Sequence, residues 1–159
     1  MKRVKVYLDN CCYNRPFDDQ TQFVIHLEAL AKLKIQRDIR ARKIELATSY
    51  ILIAENYANR FEVKRNDIQS FINEYTHTFV SKASDNDVKK YAREIMSTGI
   101  KLMDACHVAS AIIAGCNYFI TTDKRLLKYR SNNIIIIDPV RYVLENNSDL
   151  EDQYEPKYD

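Results

Sequence analysis

The chain is short of glycine and proline, with two and three in 159 residues. An all-β fold built on many tight turns needs more of both, so the shortage points to helices. No apolar stretch approaches the ~20 residues that a membrane helix requires. Residues 1 to 8 are too short for a secretory leader and carry Lys2, Arg3 and Lys5 among their apolar positions. The four cysteines, Cys11, Cys12, Cys106 and Cys116, form no CxxC pair and no disulfide-like spacing. These absences lead to the expectation of a reduced, cytoplasmic protein with no membrane span.

What is present is an ordinary globular composition, 46% hydrophobic and 29% charged, at a length that suits one domain with one sizeable core. The net charge of +2 hides an uneven distribution. Five acids against Lys157 give "SDLEDQYEPKYD" a local charge of −4, which leaves +6 on residues 1 to 147. A mildly basic body suits a polyanionic partner. The expected division is a domain at 1–147 and an acidic tail at 148–159.

Hydrophobic periodicity orders the rest. "RVKVYLD" at 3–9 reads as a strand. Residues 20–43 read as a long helix whose stripe is Phe23, Leu27, Ala31, Ile35 and Ile39, widened by Leu30. "KIELATS" at 43–49 is a second strand, and "SYILIAENYANRF" a helix with a hydroxyl cap. "RNDIQSFINEYTHTF" is read as helix throughout, and "SDNDVKKYAREIMS" as a helix that stops near Gly99. The alanine-rich "DACHVASAIIAG" is a helix closed by Gly115. Strands at 117–123 and 133–138 flank a short helix, "KRLLKY", and "PVRYVLEN" is a last helix with proline in its first turn. Uniformly apolar strands alternating with helices predict an α/β fold: a mostly parallel sheet of about four to five strands, covered on both faces.

In such a sheet, ligands bind beyond the carboxyl ends of the strands. Asp9 and Asp123 end two strands, and Asp104 opens the alanine-rich helix. Each also reads as a cap or turn residue. Glu55, after five apolar residues, is harder to dismiss, because an unpaired buried carboxylate is costly. If the four converge, their repulsion must be met by protons or cations. Oxygen ligands without thiolate or imidazole suit Mg2+ or Mn2+, and such an ion activates water and stabilises a leaving phosphodiester oxygen.

Taken together, "KLMDACHVASAIIAGCNYFITTDKRLLKY", "YLDN" and "TSYILIAEN" resemble the PIN-domain family over roughly residues 3 to 146. The resemblance implies a three-layer α/β fold and a metal-dependent ribonuclease site. Its acidic positions fall on Asp9, Glu55, Asp104 and Asp123, which the likeness makes both catalytic and ligands of Mg2+ or Mn2+. Many members are toxins of toxin–antitoxin pairs, dimeric and restrained by a small antitoxin. RNA, an antitoxin and a second copy of the chain are therefore the expected partners. Where many members carry Ser, Thr or Asn two residues after the first aspartate, this chain has Cys11. Asn10 or Asn14 is the candidate for the missing polar contact. With Arg15, Lys124 and Arg125, which lie beside the acids, they form the expected substrate-binding set.

His107, one turn after Asp104, reads as a packed residue or a proton-transfer aid, and the cysteines as small core residues. The densest basic stretch, "KLKIQRDIRARK" at 32–43, is a solvated helix face or a phosphate contact. Two other functions fit the pattern. One is a non-catalytic PIN-like module that binds RNA or protein. The other is a phosphoryl-transfer domain with Asp9 as nucleophile, and it is disfavoured because Cys11 stands where that pattern has a second Asp.

Overall fold

A computed structural model of the chain describes residues 2–14 and 21–146. β1 (Lys5–Leu8) is followed by a short helix α1 (Asn10–Asn14) and then by α2 (Phe23–Arg40). β2 (Glu45–Ser49) leads into α3 (Tyr50–Tyr57) and α4 (Glu62–Tyr75), and β3 (Thr76–Val80) leads through a 3-10 turn into α5 (Asp85–Met96). α6 (Leu102–Ile113), β4 (Tyr118–Ile120), α7 (Lys124–Lys128), β5 (Ile135–Ile137) and α8 (Pro139–Asn146) complete the order. The five strands form one sheet in the order β3-β2-β1-β4-β5, and every pairing is parallel.

Because successive strand residues point to opposite faces, each strand serves two cores. Tyr7, Ala47 and Phe119 turn to one face, where α5 and α6 cover them with Val88, Ala92, Ala105 and Val108. Val6, Leu8, Leu46 and Ile120 turn to the other, against Ile35 and Ile39 of α2 and Ile68 and Ile72 of α4. Each such fully buried aliphatic side chain contributes about 1.5–3 kcal/mol. Small residues on α6 let it sit close to the sheet, and this brings its first turn to the carboxyl edge. Gly115, at φ +75°, ends that helix in the left-handed region where a Cβ would be strained.

Three sequence expectations are corrected. "THTFV" is the edge strand β3 and not the end of a helix. Its β-branched and aromatic residues favour a pleated surface, and the Thr76 hydroxyl bonds back to the Ile72 carbonyl as the helix stops. The stripe of α2 is only half used: Ala31, Ile35 and Ile39 are buried, while Phe23 (75%), Leu27 (37%) and Leu30 (51%) are exposed. The first turns of the helix leave their part of the stripe exposed, so periodicity alone overstated the core. Finally, α6 begins at Leu102, which puts Asp104 inside its first turn and makes Lys101 the cap. No helix among the described residues is long and apolar enough to cross a membrane. The acidic tail at 148–159 lies outside the described residues.

Candidate active site

Parallel strands bring the ends of β1, β2 and β4 to one edge, and the acidic side chains gather there. Asp9 follows β1 directly and is buried, 7% exposed. One of its oxygens, Oδ2, accepts a hydrogen bond from the Thr121 hydroxyl at 2.8 Å, and the other accepts from the Asn10 amide at 2.8 Å. The same Thr121 hydroxyl accepts from the Asp123 amide at 3.0 Å. One threonine thus fixes two of the acids to each other. Asp123 caps α7 by accepting from the amides of Arg125 (2.8 Å) and Leu126 (3.3 Å), which engages one of its two oxygens.

Glu55 reaches the edge from α3, whose N-terminus is capped by Ser49. Its Oε2 lies 2.6 Å from Nε2 of His107. His107 is 1% exposed, and its Nδ1 is 2.7 Å from the Tyr7 hydroxyl, which is itself 2.7 Å from the Ser49 hydroxyl. The result is a continuous buried chain from Ser49 through Tyr7 and His107 to Glu55. With the ring charged, both ring N–H groups donate, and the Tyr7 hydroxyl donates on to Ser49. With the ring neutral, Tyr7 turns its proton to Nδ1. Tyr7 is held in place by stacking on Phe119 at 5.4 Å.

The electrostatics of the site divide along the same lines. Burial works against the charges of Glu55 and His107, but their mutual bond wins. Glu55 is held below the usual carboxylate range, with help from the Asn10 side chain. His107 is held above its ordinary value, aided by the charges of Asp9 and Asp104 as well as Glu55. Asp104 goes the other way. Burial pushes it up, and the charges of Asp9, Asp123 and Glu55 push further, opposed only by His107. All four sequence-predicted acids therefore act on one another across a single cleft.

Electrostatic reach is longer than a metal–ligand bond, and the distinction matters here. Among the described residues, no group of three or more His, Cys, Asp or Glu is disposed to hold a metal ion as it stands. The donor chemistry nevertheless fits a hard divalent cation. The donors are carboxylate oxygens, the most crowded of them is pushed above its usual range, and the buried Asn10 Oδ1 has no hydrogen-bond partner. Asp9, Glu55, Asp104 and Asp123 are the residues that would hold it.

Of the expected substrate contacts, Asn10 is in the cleft, and Lys124 and Arg125 are exposed in the first turn of α7. Asn14 ends α1, but its side chain and the whole of Arg15 lie outside the described residues. Sequence reasoning did not find Thr121, Tyr7 or Ser49. The only available signals were the paired threonines before Asp123 and a tyrosine inside an apolar strand. Cys11 sits beside the acids: its Sγ donates to Asp9 Oδ2 at 3.5 Å and accepts from the Thr122 hydroxyl at 3.2 Å. Cys12 is fully buried, as a packing residue should be. The basic stretch of α2 is largely spent on the fold. Lys32 is buried with its Nζ on the Cys11 carbonyl, Lys34 pairs with Asp38, and Arg40 and Arg42 lie over Phe71 and Tyr75.

Compared with known proteins, the chain is matched by one family model, described as PIN domain, over residues 6–132. No curated protein matches it. The matched span contains all four acids of the cleft, together with Tyr7, Ser49, His107 and Thr121.

Proposed function

From the premise that the chain belongs to the PIN-domain family, a family of nuclease-type folds that typically use divalent metal ions, we propose that it is an endoribonuclease dependent on Mg2+ or Mn2+. The observation that carries this reading is the gathering of Asp9, Glu55, Asp104 and Asp123 at the carboxyl edge of the sheet, where burial and three like charges push Asp104 up. A protein keeps such repulsion in one cleft when something cationic relieves it. When bound, the cation supplies charge neutralisation at the phosphate and a water that is easier to deprotonate.

The residues of the chain supply position. Thr121 fixes Asp9, the cap of α7 fixes Asp123, and His107 fixes Glu55, so three acids are oriented before substrate arrives. Asp104 is the least restrained and the most responsive to a cation. Lys124 and Arg125 stand next to Asp123, where they would meet phosphates beside the scissile one. Labelled RNA incubated with Mn2+, with and without chelator, tests the reading. Chelator-sensitive cleavage that is lost in Asp104→Asn is the expected result, and its absence from protein stripped of any bound partner rejects it.

One observation favours a second reading, a non-catalytic RNA- or protein-binding module: the acids are not disposed as a ready metal site among the described residues. Salt-sensitive RNA binding that survives Asp104→Asn, with no cleavage, would select it. The toxin role, the antitoxin, a homodimer and a cytoplasmic location are the finer parts of the proposal. The exposed Phe23, Val24, Leu27 and Leu30 of α2 support a protein partner, and light scattering of the purified chain tests the homodimer.

A further inference from the structure

Beside the acidic cleft lies a groove that none of the four acids lines. It holds about 350 Å³ and is lined by Thr98, Ile100, Arg125, Lys128, Tyr129 and Arg130. Three of these six are cations and none is an acid. Among the described residues, the ion pairs of the chain lie elsewhere, and no carboxylate is paired with Arg125, Lys128 or Arg130. Several bases at 32–43 are different: Lys34 is answered by Asp38, and Arg40 and Arg42 lie over aromatic rings. Cations gathered without a counter-charge repel one another, so the groove is electrostatically incomplete in the free chain.

Its position ties it to the cleft. Asp123, one of the four acids, caps the helix that carries Arg125 and Lys128. That helix has five residues, so it is about 7 Å long. Leu126 is fully buried and anchors α7, and Tyr129 packs against the same core while remaining partly exposed. Arg125 and Lys128 are therefore presented from a fixed element, and Tyr129 and Arg130 follow it directly in the chain.

We propose that this groove binds the backbone of single-stranded RNA where the strand leaves the cleft, with Lys128 and Arg130 on successive phosphates and Tyr129 as a stacking surface for a base. The inference rests on the nuclease reading for its choice of ligand. An acidic peptide would also answer the cations, but a strand that continues into the carboxylate cleft has to present a phosphodiester there. Alternating fixed cations and an aromatic platform are the usual means of holding single strands without reading sequence.

The test is fluorescence anisotropy with a short and a long single-stranded RNA, run on the full chain in chelator across a range of KCl. The double variant Lys128→Gln/Arg130→Gln is compared with Arg37→Gln/Lys43→Gln, which removes the same charge from the end of α2 and the turn after it. For the long RNA, the salt slope should fall by about 1.4 in the groove variant, ~0.7 for each lost phosphate contact. The short RNA and the α2 variant should change little. An unchanged slope, or equal losses in the two variants, overturns the proposal, as does displacement of the RNA by poly-glutamate at equal charge. If Mn2+ gives no cleavage but the groove variant still loses its slope, the nuclease reading fails and the RNA groove stands. Cleavage with unchanged kcat/KM on long RNA in the groove variant removes the groove alone.

Discussion

Glu55 and Asp104 enter one cleft from neighbouring helices, α3 and α6, and the protein treats their charges in opposite ways. Glu55 receives a buried imidazole at 2.6 Å and is held below the usual range in spite of burial. Asp104 receives no such partner, and burial with three like charges pushes it up. The difference separates a half of the site that is finished in the free protein from a half left under tension. The finished half fixes geometry. The tense half stores the affinity for a cation, because the repulsion disappears when positive charge arrives.

The sharpest way to break the comparison is to neutralise Asp104. Asp104→Asn should lower kcat on the order of 10³-fold, the scale for losing one preorganised charge-stabilising group. It should also raise the Tm of the metal-free protein at neutral pH. A carboxyl raised above its unfolded value near 3.8 binds its proton more tightly in the folded state. Its charge therefore destabilises above the folded pKa, and that penalty is removed as pH falls toward the unfolded value. Glu55 has the reverse sign. Its folded pKa lies below the unfolded value of 4.5, so its stabilisation is present above 4.5 and is lost as pH falls through the folded value. Glu55→Gln should accordingly lower the Tm in chelator. Thermal scans of both variants that move in the same direction would erase the distinction.

His107→Ala attacks the finished half. Loss of the group that orients a metal-binding carboxylate costs about 10–100-fold in metal affinity or activity. Calorimetric Mn2+ titration and cleavage should both register it, and His107→Gln should recover part. Tyr7→Phe is milder, because it removes the hydroxyl that links Ser49 to His107 and leaves the 2.6 Å bond in place. Ser49 keeps its bond from the Leu52 amide, and the penalty for the orphaned His107 nitrogen is about 1–3 kcal/mol of stability, seen as a shifted denaturant midpoint with little change in cleavage. A large loss of cleavage in Tyr7→Phe would mean that the whole chain back to Ser49 acts as one unit.

Much of this arrangement was legible in the residues, for reasons that also set the limits. Uniformly apolar strands announced a parallel sheet, and strand ends announced where Asp9 and Asp123 would meet. Glu55 was legible as an acid in apolar surroundings, and Asp104 as the acid that opens the alanine-rich helix. β3 was not, because "THTF" continues an apolar spacing that suits helix and strand alike, and pairing with β2 decides between them. The outer half of the α2 stripe was overstated because periodicity reports a face without saying how much of it the fold covers. His107 was legible as buried but not as the partner of Glu55, 52 positions away in the chain. The groove along α7 was hidden for a related reason: Lys124 and Arg125 were visible beside Asp123, but Thr98 and Ile100 join Arg125 only through the packing of α5 and α6.

The smallest expected effect concerns Cys11. Cys11 occupies a site between Asp9 and Thr122, with Sγ donating to the first and accepting from the second. The bond from Cys12 pulls its thiol below the ordinary value, against burial and the Asp9 charge. A serine would keep both hydrogen-bonding roles on a shorter reach. Cys11→Ser should therefore leave cleavage within about tenfold of the parent, the scale of one net hydrogen bond. If it instead removes cleavage as completely as Asp104→Asn, the sulfur belongs to the working part of the cleft, and the division between Glu55 and Asp104 has to be extended to a third side chain.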